Sequence, residues 1–182
     1  MKVTRTEIED LLVIEPDVFA DGRGFFMEAF HQQRYTDAGI RYSFVQDNQS
    51  LSTRGTLRGL HYQISHVQGK LVRALQGTIF DVAVDLRKSS PTFGKWAGIE
   101  LSAENKKQFW IPPCFAHGFY VLSDQAEVLY KTTDYYDPQA ERCIIWDDPD
   151  LGVAWPLSSD SPLLLSKKDQ NGILFRQAEV FE

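Results

Sequence analysis

Through the middle of the chain, apolar and polar residues alternate with a period of two. From Thr78 to Arg87, Phe80, Val82, Val84 and Leu86 point one way. Ile79, Asp81, Ala83 and Asp85 point the other, which predicts a half-buried strand. Leu71–Leu75, Trp96–Leu101, Gln108–Ile111, Phe119–Leu122, Glu127–Thr132 and Cys143–Trp146 also read as short strands. Turn formers punctuate them at Gln76-Gly77, Ser89-Ser90-Pro91, Pro112-Pro113, Ser123-Asp124 and Asp137-Pro138. Helix is scarce: Gln32–Ala38, stopped by Gly39, is one candidate, and Lys167–Gly172 is a short second one. Short strands at regular spacing predict an all-β fold, a jelly-roll barrel with few short helices.

Composition narrows this to one ordinary domain, residues 1–182. The 182 residues are 43% hydrophobic and 13% aromatic, enough to build a core without disulfides or metal. Cys114 and Cys143 form neither a CxxC nor a zinc spacing and read as two unpaired thiols of a reducing compartment. The charged start MKVTRTEIED does not read as a signal peptide, and nothing approaches the ~18 apolar residues of a membrane span. The expected location is therefore cytoplasmic. A net charge of −6 argues against nucleic acid as a partner. The charges are unevenly spread, however. No acid falls between Asp47 and Asp81, where Arg54, Arg58, Lys70 and Arg73 lie, and six acids face Arg142 between Asp134 and Asp150. A local cationic site for an anionic small molecule is one reading, and solvated faces are the other.

The densest polar clusters are Gln46–Ser50, Leu57–Gln63 and Gln68–Arg73. Metal-binding jelly rolls of the cupin type use a His-x-His pair, then a Glu, then a later His. Here the pair is His61 and Gln63, no Glu follows before Asp81, and the later Pro112–His117 segment supplies only one more His, so no tight metal site is expected. Arg58 and His61, three apart, would face opposite sides of a regular strand. A bulge at Gly59 would bring them together. Residues 58–63 and 70–75 are expected to pair as a hairpin around Ile64–Gln68, setting His61 near Lys70. A histidine base beside an ammonium suits proton removal next to a carbonyl, with the cation stabilising the enolate oxygen. The base also needs a carboxylate partner, which spacing alone does not identify.

Several blocks then occur in a telling order. They are Asp21-x-Arg23-Gly24-x-Phe26-x-Glu28-x-Phe30, Gln46-Asp47-Asn48-x-Ser50, Arg58-Gly59-Leu60-His61-Tyr62-Gln63, Lys70-Leu71-Val72-Arg73, Phe115-Ala116-His117-Gly118-Phe119, Tyr130-Lys131-x-Thr133-x-Tyr135-Tyr136 and Ser166-x-Lys168-Asp169. Together they span most of the chain, which closely resembles the dTDP-4-dehydrorhamnose 3,5-epimerase family. The resemblance implies a metal-free, cofactor-free, cupin-fold homodimer. It would turn dTDP-4-dehydro-6-deoxy-D-glucose into dTDP-4-dehydro-L-rhamnose, with an N-terminal arm of about residues 1–45 exchanged between chains. His61 matches the base, Asp169 its orienting carboxylate, Tyr130 the acid on the opposite face of the sugar and Lys70 the residue at the C4 oxygen. Arg23, Arg58, Gln46 and Asn48 match nucleotide and phosphate contacts. Phe26 and Tyr136 match walls for the thymine ring, and Glu28, Asp47, His117, Glu141 and Lys168 match further substrate contacts. Cys114 departs from the pattern, standing where the family often has Gly, which puts the local backbone shape in question.

Each residue has a plainer reading when taken singly. Tyr130 could be a cross-strand packing aromatic, Lys70 a solvated charge, and Asp169, three residues after Ser166, a helix cap. Two other functions stay open at this point: a mono-epimerase acting at C3 or C5 of a related 4-keto-6-deoxyhexose, and a cupin that only binds ligand.

Overall fold

The computed structural model describes residues 1–182. In chain order the elements are β1 (Lys2–Arg5), β2 (Leu12–Glu15), β3 (Val18–Asp21), β4 (Gly24–Met27), α1 (Gln32–Asp37), β5 (Gln46–Thr53), β6 (Leu57–Gln63), β7 (Lys70–Gln76) and β8 (Thr78–Asp85). They continue as β9 (Trp96–Ser102), β10 (Gln108–Ile111), β11 (Phe115–Val121), β12 (Gln125–Thr132), β13 (Glu141–Cys143), α2 (Lys167–Gln170) and a 3-10 turn at Phe175–Gln177. A six-stranded antiparallel sheet, ordered β1-β2-β10-β7-β12-β5, faces a five-stranded one, ordered β13-β6-β11-β8-β9. The predicted all-β barrel with few short helices is what the chain forms.

Between the sheets lies a core built from alternate residues of each strand, including Val72, Ala74, Ile79, Ala83, Phe109, Phe115, Phe119 and Val128. The other face of the five-stranded sheet is covered as well. There Leu60, Tyr62, Val82, Val84 and Leu86 pack beneath Trp155, Phe175 and Phe181 of the C-terminal segment. β8 is therefore buried on both faces, not half-buried as its alternation predicted. On the six-stranded sheet, Leu12, Ile14, Leu71 and Trp110 pack under Tyr35 of α1 and Ile40. α1 ends where Gly39 takes a φ of 101°, a turn that costs glycine little.

The expected 58–63/70–75 hairpin does not form. β6 belongs to the five-stranded sheet and β7 to the six-stranded one, so the chain crosses the barrel between them. His61 and Lys70 come together because they sit on facing walls, not on neighbouring strands. β1 and β2 are held at the sheet edge by this chain's own β10, and only the β3–β4 hairpin stands apart as a separate two-stranded ribbon.

Cys114 has a φ of 72°, in the left-handed region. The turn thus has the backbone shape that glycine adopts most easily, but with a side chain attached. That conformation costs an L-residue about 1–2 kcal/mol, against the roughly 0.4–1 kcal/mol lost when glycine loosens the unfolded chain. Cys114→Gly is expected to raise stability by up to about 1.5 kcal/mol, read as a higher urea midpoint. A lower midpoint would mean that packing of the half-buried thiol outweighs the relief.

Candidate active site

At one end of the barrel the apolar core gives way to a cavity of about 300 Å³ with mostly polar walls, among them Asn48, Ser50, Arg58, His61, Lys70, His117, Tyr130, Tyr136, Glu141 and Lys168. The bulge that the sequence suggested is present. His61 pairs with His117 but Arg58 with Phe119, so β6 carries an extra residue between them. Gly59 and Gly118 make this possible: a Cβ on Gly59 would lie 2.5 Å from the Gly118 Cα, and one on Gly118 would lie 2.7 Å from the Arg58 carbonyl oxygen. The extra residue turns Arg58 and His61 toward the same cavity.

Behind His61 stands Asp169, only 2% exposed. Its Oδ1 lies 2.7 Å from His61 Nε2, although the ring N–H is not aimed straight along that line. The same carboxylate accepts from the Gly59 backbone N–H and the Ser166 hydroxyl. Asp169 also closes a capping box with Ser166 at the start of α2. The helix-cap and catalytic-partner readings of Asp169 are therefore both true: the cap holds the carboxylate in position for the histidine. Burial works to raise the Asp169 pKa, but the close His61 ring and hydrogen bonds from Ser166 and Gly59 outweigh it and leave the acid well below the usual range. Burial lowers the His61 pKa against the pull of Asp169, so the imidazole is neutral at physiological pH and free to accept a proton.

Lys70 reaches across from β7, its Nζ 3.5 Å from the His61 carbonyl oxygen. Burial brings its pKa down to about 8, resisted by Asp81 and Glu141. Tyr130 stands on β12, in the sheet opposite His61. Burial raises its phenol pKa, and Arg58 works against that rise. A second His–Asp pair lies deeper, with His117 Nε2 2.9 Å from Asp81 Oδ1, both residues buried. Asp81 had no role assigned from the sequence. The signal was there, an acid at an inward position between Ile79 and Ala83.

At the mouth, Arg58 Nε donates to Ser52 Oγ, leaving its terminal nitrogens for a ligand. Gln46 donates to Asn48 and accepts from the Tyr136 backbone N–H. Glu141 accepts from the Tyr136 hydroxyl and pairs with Lys168 at 2.8 Å. Gln63, quoted in the sequence motif without a role, donates to the His66 and Tyr135 carbonyls and accepts from the Asp137 N–H. Its amide fastens the loop that carries Tyr136, so the His61/Gln63/His117 set has two members engaged elsewhere and is not poised as a cupin metal site.

Six of the sequence-derived residues do not line this cavity: Asp169 stands behind His61, Gln46 braces Asn48 and Tyr136, and the other four are engaged elsewhere. Asp47 is on the outer face of β5, paired with Lys131 at 2.8 Å. Glu28 pairs with Arg34, and Arg23 with Asp21 on the same hairpin. Phe26 is 71% exposed, opposite Phe19 at 66%. The cationic stretch divides in the same way: Arg58 and Lys70 line the cavity, while Arg54 binds Asp124 on the surface.

The whole arrangement has clear counterparts. The family model described as dTDP-4-dehydrorhamnose 3,5-epimerase matches residues 5–177. A dTDP-4-dehydrorhamnose 3,5-epimerase of Pseudomonas aeruginosa is 60% identical over all of this chain and 99% of its own length. One from Shigella flexneri is 57% identical with the same coverage. Among solved structures, a dTDP-6-deoxy-D-glucose-3,5-epimerase of Legionella pneumophila, in complex with dTDP-4-keto-L-rhamnose, superposes with a TM-score of 0.95 at 52% identity. That match covers 98% of this chain and 94% of the other. The barrel is thus a cupin-type jelly roll, and with near-complete coverage from three directions the chain belongs to the dTDP-4-dehydrorhamnose 3,5-epimerase family.

Proposed function

We propose that this protein is a dTDP-4-dehydrorhamnose 3,5-epimerase that inverts C3 and C5 of dTDP-4-dehydro-6-deoxy-D-glucose, with His61, Asp169, Tyr130 and Lys70 doing the chemistry. The observation that carries this reading is the placement of a neutral, carboxylate-backed histidine and a tyrosine on facing walls of one cavity. The C4 ketone acidifies the protons on C3 and C5. His61 removes one, the electron pair moves onto the C4 oxygen, and the Lys70 ammonium stabilises the enolate. Tyr130 then delivers a proton from the opposite side, and the centre is inverted. Asp169 keeps the ring oriented and stabilises the imidazolium that forms. No cofactor is needed for the transfers.

A cavity of about 300 Å³ is at the low end for ligand pockets of roughly 300–1,000 Å³. It suits the sugar, and the nucleotide lies across the mouth, where Arg58, Asn48, Lys168 and Tyr136 offer charge, hydrogen bonds and a ring face. The remaining walls come from a second copy. The β3–β4 hairpin exposes Phe19 and Phe26 with Arg23 at its turn, too much apolar surface for a free ribbon. Exchange between two copies of this one domain would bury it and bring Arg23, Phe26 and Glu28 to the partner's mouth. Gln46 and Asp47 act from behind, by holding Asn48 and Lys131. No helix is long and apolar enough to cross a membrane, and two free thiols fit work in the cytoplasm.

The test is incubation with the keto sugar nucleotide in deuterium oxide, followed by NMR. Deuterium at both C3 and C5 with inversion is expected, whereas label at one carbon alone would select a mono-epimerase. The same assay has a pH signature. Below the depressed pKa of His61 the base is protonated, and above about 8 Lys70 loses its charge. The profile of kcat/KM should be bell-shaped with an alkaline limb near 8, and Lys70→Arg should move that limb upward. A limb unmoved by the replacement would assign it to another group.

A further inference from the structure

Cys143 belongs to none of the machinery described above, yet it sits against the centre of it. It is the cross-strand partner of His61 on β13, and its sulfur, a His61 ring nitrogen and an Asp169 oxygen lie within 4.8 Å of one another. We propose that His61, Cys143 and Asp169 form a three-ligand site for a thiophilic divalent cation of the zinc class, and that filling it switches off the base. The proposal rests on His61 being the base, and its metal-binding half can be tested without that assumption.

The donor set is one that zinc prefers. A thiolate, an imidazole and a carboxylate around one point, with a fourth position open, match the ligand types and number of zinc sites. Bond lengths of about 2.0–2.3 Å place tetrahedral donors roughly 3.3–3.8 Å apart. The present spacing therefore needs side-chain shifts of about an ångström, with the sulfur drawing in and the His61–Asp169 contact opening from 2.7 Å. His61 Nε2 is buried, and its N–H is not aligned on Asp169, so a cation would meet a nitrogen already facing the other donors, its proton passing to Nδ1 as the metal–nitrogen bond forms. Asp169 has its supporting shell in place through Ser166 and the Gly59 N–H. Charge also balances: thiolate and carboxylate neutralise a dication, and the thiol proton leaves to solvent as the metal–sulfur bond forms. Only a cation with a strong affinity for sulfur displaces that proton, which excludes magnesium and calcium as occupants.

Occupancy would fix the His61 ring with the metal on Nε2 and the ring proton on Nδ1, leaving no lone pair for the sugar, so proton abstraction would stop at both carbons. Cys143 lies behind His61 and does not line the cavity, so Cys143→Ser should leave the metal-free rate unchanged.

The experiment uses tag-free, chelator-stripped protein in two arms. In the first, cobalt(II) is titrated in the absence of substrate. One equivalent per chain should produce a thiolate-to-cobalt charge-transfer band and the visible bands of a tetrahedral ion, lost in Cys143→Ser and kept in Cys114→Ser. In the second, zinc is added to the deuterium-exchange assay. Exchange at both carbons should fall and recover with chelator, and Cys143→Ser should need at least ~10-fold more zinc for the same loss. Absence of the thiolate band from the unaltered protein, or equal zinc sensitivity with and without Cys143, would overturn the site. The cobalt arm needs no turnover. A chain without epimerase activity would still report on the site, and an active epimerase without the band would remove the site alone.

Discussion

Replacement of His61 by alanine is expected to stop deuterium entering at both C3 and C5, with a loss of about 10³-fold or more in exchange at each carbon. The expectation follows from the cavity walls. His61 is the histidine there whose pKa burial has pulled below its ordinary value while a carboxylate sits behind it. The other histidine, His117, holds the buried Asp81 and is engaged deeper in the barrel. The fold should survive, because the three apolar clusters that hold the sheets and their coverings do not include His61. An unchanged urea midpoint beside the lost exchange would separate chemistry from stability. Asp169 is a poorer place to make the same point. Its carboxylate also caps α2 and accepts from Gly59, so removing it would disturb the backbone as well as the base. Substantial exchange at either carbon in the His61 variant would require a second base and sink the single-base mechanism.

The strands of the inner core were legible because alternation is a local property. Gln108–Ile111 was placed to the residue, and Glu127–Thr132 to within two at one end. β11 began four residues before the expected Phe119, since Phe115–Gly118 had been set apart as a motif and not read as strand. β1 to β5 went unpredicted: β1 to β4, at four residues each, show too few alternations to rise above loop, and β5, polar along most of its eight residues, reads as a polar cluster; pairing partners supply the order. The misjudged exposure of β8 has a similar cause. Period two shows that two faces differ, but not that a C-terminal segment some seventy to a hundred residues further on will cover the second one.

The site divides along the same line between local and distant information. The bulge at Gly59 could be read from the spacing of Arg58 and His61, because a backbone kink is fixed by the residues that make it. The proximity of Lys70 was expected from a hairpin, and it holds through a crossing of the barrel that local pattern cannot see. Which carboxylate stands behind His61 was not open to spacing at all, because Asp169 lies 110 positions from the Gly59 N–H it receives. The resemblance to a family supplied that pairing. Cys143 shows the converse. Its cross-strand place beside His61 left no mark in the linear sequence, and two cysteines without metal spacing gave no reason to look for it.

Tyr130→Phe should separate the two halves of the reaction. His61 would still form the enolate, and Lys70 would still stabilise it, so deuterium should continue to enter at C3 and C5. The proton would return from the only side that still carries a donor, the side it left. Label would accumulate with retained configuration, while net inversion falls by about 10²–10⁴-fold, the range of one positioned acid. The geometry makes this outcome distinctive. Tyr130 stands on β12 and His61 on β6, in opposed sheets, so no small tilt of the sugar brings His61 to both faces. Arg58 lies near enough to Tyr130 to ease loss of its proton, against the burial that opposes it. An Arg58→Met change should therefore weaken inversion as well as nucleotide binding, whereas the tyrosine change should leave binding nearly intact. Inversion at the original rate in Tyr130→Phe would remove the tyrosine as the acid and point to a water or another hydroxyl on the same wall. Loss of exchange together with inversion would mean that Tyr130 is needed to form the enolate, and the division of labour between the two sheets would have to be redrawn.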